Sequence, residues 1–347
     1  MSSPKMTPEA IPRNERLSAG LNARIRSLIA ARETGVLLAL LVICVFLTFA
    51  TDSFLTVRNL LNVGRQISLL GIMAVGMTFV LVSKEVDLSV GSVYAISGLV
   101  AGMLIVRGSA LIPALILGLS LGTAIGAVNG LLSTYGRLPS FIATLGMLSV
   151  VRGAALLITD GQPVTVDATK GAHPEVVDQF YALGQAQLLG FVPILLVFFI
   201  IVAAIAWFVL AKTTFGFRVY AVGGSDKAAR LSGIRVFETK ILTFALMGFL
   251  SGLAGILSLA FLPSGQAGRT GIGLELDVIA AAIVGGASLS GGEGTILGTI
   301  LGVLIIGILR NGLVLLSISP FWQTTVIGLV IIAAVGLDKW TELRRTQ

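Results

Sequence analysis

From Gly35 to Leu337 the chain is a succession of apolar runs, and charge falls almost entirely in the gaps between them. A helix needs roughly 17 to 25 apolar residues to cross a hydrocarbon layer about 30 Å thick. Inside that layer only helices and closed barrels satisfy their own backbone groups. Cutting the chain at charges and turn residues predicts ten spans: Gly35–Ala50, Ile67–Ser83, Leu88–Val106, Ala110–Leu132, Phe141–Thr159, Leu188–Leu210, Ile241–Leu262, Leu276–Leu289, Thr295–Leu316 and Phe321–Leu337. Phe54–Asn62 is predicted as an interfacial helix between the first two. The fold class is therefore an all-α polytopic membrane protein of about ten transmembrane helices. Composition agrees: 55% of the 347 residues are hydrophobic and only 12% are charged, half the ~25% of a soluble chain.

The net charge of +7 does not indicate nucleic-acid binding, because the basic residues come in bursts between apolar runs rather than along one face. A lone cysteine, Cys44, excludes an intramolecular disulfide and a thiolate metal cage, and a lone histidine, His173, excludes a histidine metal cluster.

The bursts define the organisation. Residues 1–33 form a basic tail in which Leu17, Leu21, Ile25 and Leu28 recur at helical spacing among Arg16, Arg24, Arg26 and Arg32. The tail reads either as an amphipathic helix on a membrane surface or as a disordered segment that serves topology. Residues 34–338 are the transmembrane domain, with a basic loop over 212–240 and an acidic connection over 160–190, and 339–347 form a C-terminal tail. Lys5, Arg13, the tail arginines, Lys84, Arg137, the six basic residues of the 212–240 loop and Lys339, Arg344 and Arg345 all fall on one side of a ten-span chain. By the positive-inside rule that side, and both termini, are cytoplasmic. The 160–190 connection, with Asp160, Asp167, Glu175 and Asp178, then faces outward.

A faint internal repeat accompanies this topology. Leu121-Gly122-Thr123-Ala124-Ile125-Gly126 resembles Leu297-Gly298-Thr299-Ile300-Leu301-Gly302, and Pro139-Ser140-Phe141 resembles Pro320-Phe321. The two sets lie five spans apart, so equivalent helices would run in opposite directions, as in inverted-repeat transporters.

Glycine accounts for 42 residues. Gly118, Gly122, Gly126 and Gly130 make a flat groove along one helix face, suited to close helix packing within one subunit or at a dimer seam. Gly285-Gly286 and Gly291-Gly292-x-Gly294 interrupt a run and point to broken helices beside a pathway.

The sequence holds no phosphate-binding G-x-x-x-x-G-K-[ST] and no H-E-x-x-H. Glu85, Asp87, Glu275, Asp277 and Glu293 are placed at span ends, and only Arg152 and Arg310 inside spans. An ion-coupled carrier normally needs a mid-span carboxylate. Arg152 lies about 12 Å from the outer end of its helix at 1.5 Å per residue, where it either meets a polar partner on a pathway or snorkels. Such a chain needs an outside energy source, and the 212–240 loop is the place to receive it. Within it Ser225 or Asp226 can cap a two-turn helix that Gly233 ends, presenting Ala228, Ala229, Arg230 and Leu231. The plain alternative is a solvated basic loop.

These motifs together resemble one family. Val86-Asp87-Leu88-Ser89-Val90-Gly91-Ser92, Leu138-Pro139-Ser140-Phe141-Ile142-Ala143-Thr144-Leu145-Gly146 with Val151-Arg152-Gly153, Gly161-Gln162-Pro163, the loop Gly223–Ile234, Glu275-Leu276-Asp277-Val278-Ile279-Ala280-Ala281, Gly285–Gly294, Asn311-Gly312-Leu313 and Ser319-Pro320-Phe321-Trp322-Gln323 occur in this order. The chain resembles the permease subunits of bacterial ATP-binding-cassette importers for simple sugars of the ribose, xylose and arabinose type, related to branched-chain amino acid permeases. The resemblance covers about residues 55–340.

It implies a multi-pass protein of the bacterial inner membrane, working as a homodimer with a cytoplasmic ATPase and a periplasmic or lipid-anchored solute-binding protein. ATP and Mg would be bound by the partner ATPase and no cofactor by this chain. Gly223, Gly224, Ser225, Asp226, Ala228, Ala229, Arg230, Leu231, Ser232, Gly233 and Ile234 would form the ATPase-coupling loop. Asp87, Asn129, Thr144, Arg152, Gln162, Asp277 and Asn311 are the candidate path residues for a sugar or polyol, with no catalytic and no metal-binding residue expected. The competing readings are an ion-coupled secondary carrier or channel for a small polar solute and, more distantly, an intramembrane enzyme.

Overall fold

The computed structural model describes residues 32–262 and 264–319, together with 322, 325, 326, 328, 329, 332, 333 and 336. The predicted tail helix, most of the last predicted span and the C-terminal tail lie outside the described residues. The described chain is helical throughout: α1 (Arg32–Ala50), α2 (Val57–Val82), α3 (Val90–Val106), α4 (Leu111–Thr134), α5 (Ser140–Thr159), α6 (Pro174–Gln185), α7 (Ile194–Lys212), α8 (Thr214–Gly224), α9 (Asp226–Leu231), α10 (Val236–Phe261), α11 (Leu274–Val284) and α12 (Ile296–Leu315). A two-residue hairpin, β1 (Gln187–Leu188) with antiparallel β2 (Val192–Pro193), precedes α7. Among the described residues, six helices (α2, α4, α5, α7, α10 and α12) are long and apolar enough to cross a membrane, and α1 and α3 are shorter apolar helices.

Burial separates the helices by role. Helices α2 and α10 run through the interior, with 83% and 72% of their apolar windows buried, whereas α7 has 28%. Outward-facing residues of α7 and α1 are apolar, such as Ile200, Phe208, Phe46 and Phe49. A helix that is hydrophobic all round belongs in lipid or a core. Amphipathic α6 lies across one end of the bundle, where buried Phe180 packs with Ile105, Ile256 and Ala260, and α8 and α9 lie at the opposite end. These are called the α6 end and the α9 end below.

The glycine groove on α4 packs within the chain. A Cβ on Gly122 would sit 2.6 Å from the Gly248 carbonyl oxygen, one on Gly126 would collide with the Phe244 carbonyl, and one on Gly130 would lie 2.7 Å from Ile241 Cα. All three contacts are on α10, so the groove is an internal α4–α10 seam. The absence of side chains lets the two backbones approach, which is how helices gain dispersion contact where lipid removes the hydrophobic driving force.

Several boundaries differ from the sequence reading, each for a local reason. No separate interfacial helix covers Phe54–Asn62: Thr56 caps α2 by accepting from Asn59 N, and the helix continues unbroken to Val82. The span placed at Leu188–Leu210 begins later, because Leu189 and Gly190 take positive φ and turn the hairpin. Helix α11 ends at Val284 rather than Leu289, since Gly286, Gly291, Gly292 and Gly294 all take positive φ. That region is tied to the bundle on one side, while Leu289, Ser290, Glu293 and Thr295 are exposed on the other. Gly292 N donates to the Val82 carbonyl at 2.9 Å and Ser288 N to the Glu293 carbonyl at 3.0 Å.

The order long helix, break, shorter helix, long helix occurs twice, as α2, α3, α4 and as α10, α11, α12, with α2 and α10 both 26 residues long. Packing exchanges partners between the sets: α10 lies on α3 and α4, and α2 lies on α11 and α12.

A Gly126→Val change places branched carbons against a backbone carbonyl that cannot rotate away. Overpacking of this kind costs about 1–3 kcal/mol or more, so the purified protein should melt markedly lower or lose its monodisperse peak in detergent. Gly146→Ala on α5 meets nothing within 4 Å and should leave both measurements unchanged.

Candidate coupling and translocation site

The two-turn helix foreseen in the basic loop is α9, and its caps are those the residues suggest. Ser225 accepts from Ala228 N at 3.3 Å. At the other end Gly233, at φ +79°, closes the turn, with Ile234 N bonded to the Ala229 carbonyl at 3.0 Å. Only part of the expected surface is presented. Ala229 is buried with Val222 and Val236, so it fastens α9 to its neighbours and is not offered to a partner. Leu231 is 82% exposed, and Ala228 and Arg230 are exposed beside it. The Arg230 guanidinium sits 4.6 Å from the centroid of Phe237, and Phe237 meets Tyr135 edge-on at 5.1 Å.

Behind α9 stands a charge junction that the sequence reading missed. Lys240, in the second turn of α10, donates from Nζ to Glu85 Oε1 at 2.8 Å and to Asp226 Oδ2 at 3.0 Å. Lys240 and Glu85 are largely buried, at 11% and 12% side-chain exposure. The first residue of α9 is thereby tied to a span and to the α2–α3 connection. Glycines complete the junction: a Cβ on Gly223 would strike the Val82 carbonyl, and Gly291 lies 2.6 Å from Lys84 Cβ by the same construction. The Tyr220 hydroxyl donates to the Gly294 carbonyl at 2.7 Å. Burial pushes the Tyr220 phenol above its usual value, which keeps it a donor.

Of the seven path candidates, the structure brings three together. The Asp87 carboxylate, 1% exposed, accepts from Ser89 N at 2.8 Å and Ser89 Oγ at 2.7 Å. Asn129 on α4 donates to Ser89 Oγ at 2.8 Å and reaches both Asp87 oxygens at 3.5 Å. Thr144 on α5 accepts from Leu88 N at 3.0 Å, and Ser140 accepts from Val86 N at 3.2 Å. The group satisfies the non-helical backbone of residues 83–89 and holds it to α4 and α5. Asn129 Oδ1 is buried without a hydrogen-bond partner.

The other four stand apart. Arg152 has a polar partner instead of snorkelling: its guanidinium donates to the Ala267 carbonyl at 2.7 Å and the Thr270 carbonyl at 2.5 Å. Gln162 is exposed near the bridge between Val164 and Gly265 at the α6 end. Asn311 forms a buried reciprocal amide pair with Asn59, at 3.0 and 2.8 Å. Asp277 is no exposed span end: it is buried in the first turn of α11 and accepts from Arg310 on α12 at 2.6 Å. It lines a cavity of about 210 Å³ with Gln66, Met73, Tyr94 and Arg310. Lys240 and Glu85 escaped notice because each stands at the edge of a span, where a charge reads as a topology signal.

Comparison with known proteins gives a consistent result. Residues 59–335 match the family described as branched-chain amino acid transport system, permease component. The chain is 44% identical to the ribose import permease protein of Bacillus subtilis, with 89% of this chain and 93% of the relative covered. It is 44% identical to the ribose import permease protein of Escherichia coli K12, covering 88% and 93%. The L-arabinose transporter permease protein of Azospirillum brasilense is 37% identical, covering 90% and 89%. No solved structure matches the chain.

Lys240→Met leaves Glu85 buried and uncompensated, a change that costs about 3–5 kcal/mol when one partner of a buried pair is removed. The purified variant should melt well below the parent. Adding Glu85→Gln should recover much of the loss, because Asp226 is 44% exposed and finds water. Additive losses in the double variant would show that Lys240 and Glu85 do not act on each other.

Proposed function

As the chain belongs to the branched-chain amino acid transport system permease family, a family of multi-pass, non-enzymatic transport components, we propose that it is the permease of an ATP-binding-cassette importer carrying a simple sugar or polyol. The observation that carries the substrate class is the 44% identity to ribose import permeases over nearly their whole length. The partners are a separate cytoplasmic ATPase, which binds ATP and Mg, and an external solute-binding protein. Two copies of the permease enclose the path in the bacterial inner membrane.

In this reading α9 is the segment seated on the ATPase. Its support is the contrast between its two faces: Leu231 and Arg230 are exposed, Arg230 resting on the Phe237 ring, while Ala229 and Asp226 are fastened to the bundle. Motion of the ATPase would reach the α2–α3 connection through Lys240 and Glu85, and the α11–α12 loop through Gly223 and Tyr220.

Topology follows the same reading. Ten spans, cytoplasmic termini and an inverted repeat relating α2, α3 and α4 to α10, α11 and α12 belong to it, and the repeat is supported by the two matching element orders and the exchanged packing. An ion-coupled carrier is disfavoured because its acid must be free to take a proton or cation. The buried carboxylates of Asp87 and Asp277 are instead committed to Ser89 and to Arg310.

Arg230→Glu combined with Leu231→Asp changes exposed positions of α9 and loses only the Arg230–Phe237 contact, worth about 0.5–1 kcal/mol at an exposed site, so insertion should be unaffected and melting should fall only slightly. ATP-driven sugar uptake by the full assembly in proteoliposomes should fall at least tenfold, and the ATPase should no longer copurify. Unchanged uptake and copurification would remove α9 from the coupling role.

A further inference from the structure

The cavity beside Asp277 opens toward the outside of the protomer at a depth where lipid would be expected. Gln66 is exposed and Arg310 is 43% exposed, although Asp277 is only 6% exposed. Helices α2 and α12 are level at the α9 end, where the Val82 carbonyl meets Gly292. Counting 1.5 Å per residue from there, Gln66 stands about 24 Å up α2 and Arg310 about 21 Å up α12, both inside a layer about 30 Å thick. At that height they stand in the outer third of the layer, where an arginine costs less than the ~3 kcal/mol of a helix centre, yet an exposed amide and a guanidinium paired to a buried carboxylate still match water better than acyl chains. Such groups line water.

The same face of α2 continues outward. Arg58, Asn62 and Gln66 repeat at every fourth residue and are exposed, and Arg65 donates to Asn62 at 2.8 Å. A polar lane thus descends from the α6 end of α2 to the mouth of the cavity.

We propose that this lane and the cavity between Gln66, Tyr94, Asp277 and Arg310 are a way-station for an uncharged polyhydroxylated solute inside the translocation path. The inference rests on the importer reading and adds to it the place where the solute is handled. The chemistry selects the solute class. Asp277 and Arg310 together carry no net charge, yet they offer carboxylate acceptors and guanidinium donors side by side, and the Gln66 amide supplies both. Arg310 Nε is buried and has no hydrogen-bond partner. Met73 and Leu70 give the cavity an apolar floor, which suits the C–H face of a sugar ring. At about 210 Å³ the space falls below the ~300 Å³ at which drug-sized pockets begin, and it fits a monosaccharide. A solute bearing its own charge would compete with one partner of the ion pair.

The test uses the whole assembly of permease, ATPase and binding protein in proteoliposomes, with Cys44→Ser as background. Gln66→Cys is treated with a membrane-impermeant, charged methanethiosulfonate reagent, and Ile200→Cys, on the exposed apolar face of α7, serves as the lipid control. Gln66→Cys should label at least tenfold faster than Ile200→Cys, at a rate that changes severalfold between nucleotide-free and vanadate-trapped states, and labelling should block uptake. Labelling no faster than the control in either state, or labelling that leaves uptake intact, overturns the proposal. Leu274→Trp, at the cavity wall, is the second arm. It should lower uptake of a neutral pentose at least tenfold while the ATPase still copurifies, and unchanged uptake means that the ion pair is only a staple between α11 and α12. Failure of the unmodified assembly to accumulate any of a panel of neutral sugars would refute the importer reading itself, an outcome separate from either arm.

Discussion

Hydrocarbon offers no hydrogen bonds, and the architecture follows from how this chain meets that constraint where its helices stop. Three stretches inside the bundle are not helical: residues 83–89, 264–273 and 285–295. Each recruits its partners from the protein. The first leans on Ser140, Thr144 and Asn129. The second is held by Arg152 through the carbonyls of Ala267 and Thr270 and by the bridge from Gly265 to Val164. The third is anchored on the Val82 carbonyl and on Tyr220. Irregular backbone is tolerated within hydrocarbon only when buried in protein or lining water; these stretches lie toward the ends of the bundle, where each is held by protein on one side and exposed on the other, at Lys84, Arg269 and Glu293.

That solution explains the scattered polar residues better than a single file of path groups would. Arg152, Asn129 and Thr144 were read as path candidates because a hydroxyl-rich solute wants hydrogen-bonding partners, but their own position in apolar runs also needs a reason. Their hydrogen bonds supply one: they support breaks. Such breaks are where packed helices can change angle while keeping their hydrogen bonds, since the φ and ψ changes fall on a few connecting residues. Gly291 and Gly292, at positive φ against Lys84 and Gly224, let two of these breaks touch backbone to backbone.

Much of this architecture was legible in the sequence, and the remainder was hidden for physical reasons. Apolar periodicity located the helices, and Ser225 and Gly233 located the caps of α9, because those signals are local. The α4 groove was visible as a four-residue glycine period, but its partner was not, since nothing in one helix names the helix that approaches it. The Lys240 junction was invisible because it joins the 212–240 loop to Glu85, far away in the chain, and each residue has an ordinary local explanation. Asp277 was placed at the start of a span and stands there, in the first turn of α11; its burial and its pairing with Arg310 were hidden because the partner lies on another helix.

Helix α2 is the element that connects the two halves of the functional argument. At the α9 end it passes into Lys84 and Glu85, held by Lys240, and offers its last carbonyl to Gly292. About one turn from that end it is locked to α12 by the Thr78 and Thr299 hydroxyls, 2.6 Å apart, and further along it supplies Gln66 and Met73 to the cavity. A continuous helix carries displacement along its axis without the loss that a jointed chain would suffer, because each turn is fixed to the next by backbone hydrogen bonds. A shift imposed on the α2–α3 connection would therefore appear at the cavity as a movement of one wall. Arg310 on α12 would follow α2 through the threonine contact. Helix α11 packs on both α2 and α12, so the Asp277–Arg310 pair would move with that wall as a unit.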